Sequence, residues 1–183
     1  MNNVEQAVRQ LSCEPLTEES FSPFGLVIDP GAVVPELING GTTRRYSDLA
    51  ALDLNAGAAQ PRIGIYDADA RQFPLPILKL ERHRQAAQVF LPLGMHRFVV
   101  VVCPGGETPE FARLRAFLSA PGQGVSLHRD TWHHGLVALG DGDRFAVIEG
   151  GNYRSDCEEV PLSEHVVLLP PAQVRQATTM KPD

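Results

Sequence analysis

Between residues 60 and 150 the chain is cut into short apolar runs by proline, glycine and aspartate, and this punctuation limits its fold more than any other feature. The runs fall at 62–66, 78–82, 88–92, 96–103, 114–118, 124–127, 135–139 and 145–149, with breaks such as Pro104-Gly105-Gly106 and Gly140-Asp141-Gly142-Asp143 between them. Each run has the length of a strand and is too short for an ordinary helix. Turn residues this closely spaced do not suit the crossovers of a βαβ fold. With 16 glycines and 15 prolines in 183 residues, composition points the same way. The pattern predicts an all-β antiparallel barrel or sandwich, with a further strand at 24–28. Three short helices are expected. One spans 3–12, where Val4, Ala7, Val8 and Leu11 share a helical face. One follows Thr17, an N-cap with Glu18 and Glu19 in the first turn. One begins at Thr108-Pro109-Glu110, where N-cap, N1 proline and an early acid coincide.

Charge and cysteine usage exclude several classes of partner. The net charge is −6 and no basic block exceeds Arg44-Arg45. No basic face exists to displace counterions from phosphates, so nucleic acid is not expected as a partner. The longest apolar run, 98–103, is far below the ~20 residues of a membrane span. No secretory signal is visible at the N-terminus. Cys13, Cys103 and Cys157 are odd in number and without a CxxC pair, which fits reduced thiols in a cytoplasmic protein, with Cys103 a buried small hydrophobe. The expected organisation is an extension over 1–15, one domain over 16–169 and a polar tail over 170–183.

Chemistry-bearing residues gather at two places. Glu81 and His83 alternate along one strand and share a face. Gln88 enters the same space after a tight turn. His133 arrives from a distant strand within His128-Arg129-Asp130-Thr131-Trp132-His133-His134. This spacing resembles a cupin metal site, H-x-H-x(3,4)-E with a later lone histidine, in which Glu81, His83 and Gln88 take the H, H and E places. A Glu/His/Gln/His set would hold a divalent first-row ion less tightly than three histidines and a glutamate. A metal-free polar pocket built from the same groups stays open beside it. His134 points away from His133 in a regular strand, so His133 is preferred. Trp132 reads as core or interface, and His96 and His165 as surface residues. Arg129 and Arg45 are the candidate anion clamps, since guanidinium grips a carboxylate bidentately; a solvated strand-end arginine competes with that reading for each.

From about Leu16 to Pro161 the chain resembles the ureidoglycolate lyase family of allantoin degradation. The resemblance rests on Phe21-Ser-Pro-Phe-Gly25-Leu-Val-Ile28, Asn39-Gly40, Arg45-Tyr46-Ser-Asp48-Leu-Ala50, Leu80-Glu-Arg-His83 and Gln88-Val-Phe-Leu-Pro92. It continues through Phe98-Val-Val-Val-Val102, Leu114-Arg-Ala-Phe117 and the distinctive Gly122-Gln-Gly124-Val-Ser-Leu-His128-Arg129-Asp-Thr-Trp132-His133-His134. Gly135 stands where the pattern leads one to expect proline, and Arg44 has no counterpart in it. The resemblance implies a cupin-like β-barrel or jelly roll, a homodimer, and cleavage of (S)-ureidoglycolate to glyoxylate and urea. It also implies catalytic roles for His83, His133 and Glu81. Substrate binding would fall to Arg129, Arg45, Tyr46, Gln88 and His128, and a metal, nickel or another first-row ion, would sit among Glu81, His83, Gln88 and His133. The apolar strand over 98–102 is the expected place for a sheet to continue across the dimer. Two other classes remain open at this point: a catalytically silent cupin binding a small carboxylic acid, and another cupin enzyme such as an isomerase or oxygenase.

Overall fold

The computed structural model describes residues 8–54 and 60–172. Its strands, in chain order, are β1 (Arg9–Leu11), β2 (Cys13–Pro15), β3 (Gly25–Ile28), β4 (Glu36–Ile38), β5 (Thr43–Arg45), β6 (Arg62–Ala68), β7 (Leu75–His83), β8 (Gln88–Pro92), β9 (Phe98–Cys103), β10 (Arg115–Leu118), β11 (Gly124–Leu127), β12 (Trp132–His133), β13 (Val137–Ala138), β14 (Asp143–Glu149) and β15 (Cys157–Leu168). Two four-residue helices, α1 (Glu18–Phe21) and α2 (Tyr153–Asp156), complete the regular structure with three 3₁₀ turns. The fold is all-β and cupin-like. One sheet runs β1-β15-β7-β12-β9-β10-β2, with β13 also on β9; a second runs β3-β11-β8-β14-β6. The two close on each other as a nearly complete barrel.

Alternation explains the layers. Phe98, Val100 and Val102 of β9 face Phe90, Val125, Leu127, Phe145 and Val147 of the five-stranded sheet, and this is the barrel core. Val99, Val101 and Cys103 point the other way, into a second cluster with Leu75, Ile77, Leu80, Leu114 and Trp132. Close approach of two strands needs a glycine at Gly25, where a Cβ would lie 2.2 Å from the Ser126 carbonyl oxygen of the paired strand β11.

Thr17 caps α1 as expected, accepting from the Ser20 amide. Other expectations are corrected. Of the helix expected over 3–12, residues 1–7 lie outside the described residues and Arg9–Leu11 forms β1, pairing parallel with β15. The helical stripe was narrow, and an open strand edge offers the backbone bonds that a frayed helix end leaves unmade. At 108–110 no helix forms; a 3₁₀ turn at Phe111–Arg113 takes its place. Strand β9 is buried along its whole length and has neighbours on both sides, so it cannot carry the sheet into a second subunit. The twelve-residue strand β15, interrupted by Pro161 and a bulge between Pro161 and Val166, was not anticipated. Strands β1 and β2, within the span expected as an extension, join the larger sheet. Of the tail, 173–183 lies outside the described residues.

Candidate functional site

Strand register brings the candidate residues to one end of the barrel. His133 lies directly opposite both Glu81 on β7 and Val102 on β9. Directly opposed residues share a face, so Glu81, His83 two residues on, and His133 all turn toward the barrel core. Their ligand-capable atoms lie within 4.8 Å of one another. The imidazole rings of His83 and His133 stand 5.7 Å apart, and Nε2 of His133 faces Oε1 of Glu81 at 3.4 Å, longer than a well-made hydrogen bond.

The tautomer of His133 follows from its other nitrogen. Nδ1 lies 2.9 Å from the Thr131 carbonyl oxygen, which can only accept, so in the neutral ring Nδ1 carries the proton and Nε2 keeps its lone pair. Nε2 of His133 and Nε2 of His83 are buried and make no hydrogen bond among the described residues. The His133 lone pair, a second buried imidazole nitrogen from His83 and a carboxylate therefore converge. Such a donor set fits a divalent first-row ion, and the carbonyl-anchored imidazole is how metal-binding histidines are usually held. A hydrogen bond and positive charge from His133, supplied when its Nε2 is also protonated, hold the Glu81 carboxyl below its ordinary pKa against the effect of burial. Burial, then the neighbouring His133, lowers the pKa of His83 against the pull of Glu81 and Asp156. Both effects favour the protonation states a metal, or a proton-accepting site, requires.

Gln88 faces the same interior from the opposite sheet, one alternation before Phe90. It is buried, and its Nε2 donates to Oε1 of Glu149 at 2.7 Å. Glu81 also borders an open pocket lined by Arg71, Pro76, Leu78, Lys79, His134 and Gly135. His134 belongs to this pocket because the strand ends at His133, and its Nδ1 lies 2.8 Å from the Gly135 carbonyl oxygen.

The remaining candidates lie elsewhere. Arg129 is half exposed beside Asp53, with which it pairs, on a turn whose Asp130 amide donates to the His83 carbonyl at 2.8 Å. His128 is exposed on that turn. Arg45 pairs with Glu36 across the β4–β5 hairpin, a two-stranded sheet of its own, and Tyr46 follows it, exposed. Trp132 is wholly buried with its Nε1 on the Gly106 carbonyl and Arg82 stacked 4.3 Å from the ring centroid, so it is core. His165 is exposed as expected, but His96 is largely covered, edge-on to Phe145 at 4.8 Å.

Sequence reasoning missed three groups. Glu149 had a legible signal: it alternates with Phe145 and Val147, so an acid stands on the apolar face of β14. Tyr66, packed on Phe90, is pushed up to about 12 by burial and by the carboxylates of Glu149 and Glu81. Asp156, buried, accepts from the backbone amides of Arg84 and Gln85 and so fixes the turn between His83 and Gln88. No spacing pattern ties residue 156 to that turn.

Comparison with known proteins adds an independent observation. Residues 8–169 match the Ureidoglycolate lyase family. A ureidoglycolate lyase of Stutzerimonas stutzeri is 42% identical over 91% of this chain and 99% of its own. One from Azotobacter vinelandii is 40% identical over 88% and 98%, and one from Pseudomonas aeruginosa 38% identical over 92% and 100%. Among solved structures, a dTDP sugar isomerase from Desulfovibrio desulfuricans aligns with a TM-score of 0.46 at 16% identity, over 77% of this chain and 87% of that one.

Proposed function

This chain belongs to the ureidoglycolate lyase family, and from that membership we propose that it cleaves ureidoglycolate to glyoxylate and urea at the Glu81–His83–His133 cluster. The convergence of these three side chains, of which Glu81 also borders the pocket lined by Arg71 and Lys79, is the observation that carries the reading.

Ureidoglycolate carries a hydroxyl, a carboxylate and a ureido nitrogen on one carbon. Cleavage removes the hydroxyl proton, forms the carbonyl of glyoxylate, breaks the C–N bond and delivers a proton to the departing nitrogen. His133, with its lone pair on Nε2, takes the hydroxyl proton and passes it to urea. Glu81, beside it, balances the charge on the ring while the proton is held. The substrate carboxylate enters at the rim, where Arg71 and Lys79 line the pocket and Arg129 stands on the neighbouring turn. Were a divalent ion, nickel being one candidate, held by Glu81, His83 and His133 instead, it would supply acidity to the bound hydroxyl in place of the His133 base.

A second copy of the chain is proposed as a partner, and the cytoplasm as its place of action. No helix among the described residues is long and apolar enough to cross a membrane.

Release of glyoxylate and urea from racemic ureidoglycolate, measured with and without a chelator, tests the reading. Both products in equal amounts are expected. A protein that binds the acid and releases neither is a binding module, and the proposal falls. Activity lost to a chelator and restored by one ion makes His133 a metal ligand, and its proton-shuttling role falls.

A further inference from the structure

The amide of Gln88 has its orientation dictated by a neighbour outside the three-residue cluster. Its Nε2 donates to Oε1 of Glu149, and the two side chains are 5% and 7% exposed. A carboxylate oxygen accepts and cannot donate, so the NH₂ end of the amide must face Glu149 and the carbonyl end must face away. That carbonyl oxygen is buried and makes no hydrogen bond among the described residues. Buried acceptors without a donor are rare, because nothing repays the water they lost.

The donor this oxygen awaits is set by where it stands. Gln88 and Glu149 lie on the inward face of the five-stranded sheet, and Glu81, His83 and His133 on the inward face of the other. His83 ends β7 and Gln88 begins β8 across one short turn held by Asp156, which places the two sets at the same end of the barrel. Of the three functional groups on ureidoglycolate, only the ureido end is rich in N–H donors. An amide turned the other way would present its own N–H groups to those donors.

We propose that the Oε1 atom of Gln88, aimed by Glu149, reads the ureido N–H of the substrate, so that Glu149 is a positioning residue for selectivity. The inference rests on the lyase reading. The departing nitrogen remains a donor after the C–N bond breaks, so the contact is made in the bound substrate and in the transition state alike. Loss of such a contact raises KM and leaves kcat nearly unchanged.

Two competitive ligands separate the ureido end from the rest: ureidoacetate, with ureido and carboxylate groups, and glycolate, with hydroxyl and carboxylate groups. Glu149→Gln keeps size and removes the fixed acceptor, so the amide of Gln88 can turn either way. In this variant KM for ureidoglycolate and Kd for ureidoacetate should each rise about threefold to tenfold, the reach of one neutral hydrogen bond, while Kd for glycolate stays put. The exchanged pair, Gln88→Glu with Glu149→Gln, restores an acceptor at position 88 and should recover ureidoacetate affinity. Thermal melting of each variant confirms that it folds, and metal content is measured alongside. An unchanged ureidoacetate-to-glycolate ratio in Glu149→Gln overturns the proposal. So does a fall in bound metal with no change in that ratio, which would make the Gln88 oxygen an ion ligand. A wild-type protein that releases no urea overturns the lyase reading instead, and the binding ratio still reports on Gln88.

Discussion

His133 shows how much one side chain can be asked to do. Its Nδ1 is tied to the Thr131 carbonyl, so the ring cannot turn and its lone pair stays aimed at Glu81 and the barrel interior. His83→Ala and His133→Ala should each lower kcat by at least ~10²-fold, the lower range for losing an acid–base or positioning group. Both should still fold, as a circular dichroism spectrum and a cooperative melt would show. Wild-type kcat in either variant would remove that histidine from the chemistry. The clamp is tested separately: Arg129→Lys keeps the charge and loses the planar fork, so KM should rise while kcat holds. An unchanged KM moves the clamp to Arg71, which lines the pocket beside Glu81. Glu81, His83 and His133 were legible because period-two spacing and a distinctive motif pointed at them. The position of Arg71 in the pocket was not, since it depends on how the segment after β6 folds back to the Ala138 carbonyl.

At the scale of elements, strands bounded by turn chemistry were legible and strands held by a partner were not. Gln88–Pro92 and Gly124–Leu127 stand where their flanking breaks put them. Strand β15 contains Pro161, Ser163 and several acids, and it is a strand because β7 offers it a hydrogen-bonding edge and Val166 and Leu168 a place in the core. Tertiary context of this kind overrides local preference. Strand β2 is another such case, a three-residue strand parallel to β10 and fastened by the Glu14–Arg115 pair at 2.9 and 2.7 Å. Arg115 holds the Glu14 carboxyl below its usual pKa. A depressed folded value means that the pair contributes above the unfolded pKa and that the contribution is lost as pH falls through the folded one. Glu14→Gln should therefore be less stable than wild type near neutrality, by roughly 0.2–1 kcal/mol for a half-exposed pair, and the difference should begin to shrink near the unfolded value of about pH 4 and vanish once the pH is below the depressed folded one. A difference that persists in acid would assign the effect to packing. Gly25→Ala forces a methyl group against the Ser126 carbonyl and should cost about 1–3 kcal/mol in urea unfolding; a neutral result would show that β3 can shift without loss.

At the scale of the whole molecule, the site exists only because two sheets close on each other: Glu81, His83 and His133 come from one, Gln88 and Glu149 from the other. The same closure decides where a second copy can dock. Strand β9 is consumed by the interior, so the apolar run most conspicuous in the sequence is unavailable. Strand β6 lies at the end of the five-stranded sheet with β14 as its one partner among the described residues. Tyr66 lies opposite Phe145 and turns inward; Ile63 and Ile65 alternate with it and face outward, 71% and 50% exposed. We propose this edge, which has no further strand on it among the described residues and carries two exposed isoleucines, as the place where a second copy pairs, since an antiparallel β6–β6 contact satisfies a two-fold axis. Light scattering at micromolar concentration should give a dimer. Ile63→Asp with Ile65→Asp should give a folded monomer, since both residues lie outside the barrel core and the charges would oppose each other across the axis. A wild-type monomer would sink the assembly, and a double variant that remains dimeric would move the interface away from β6.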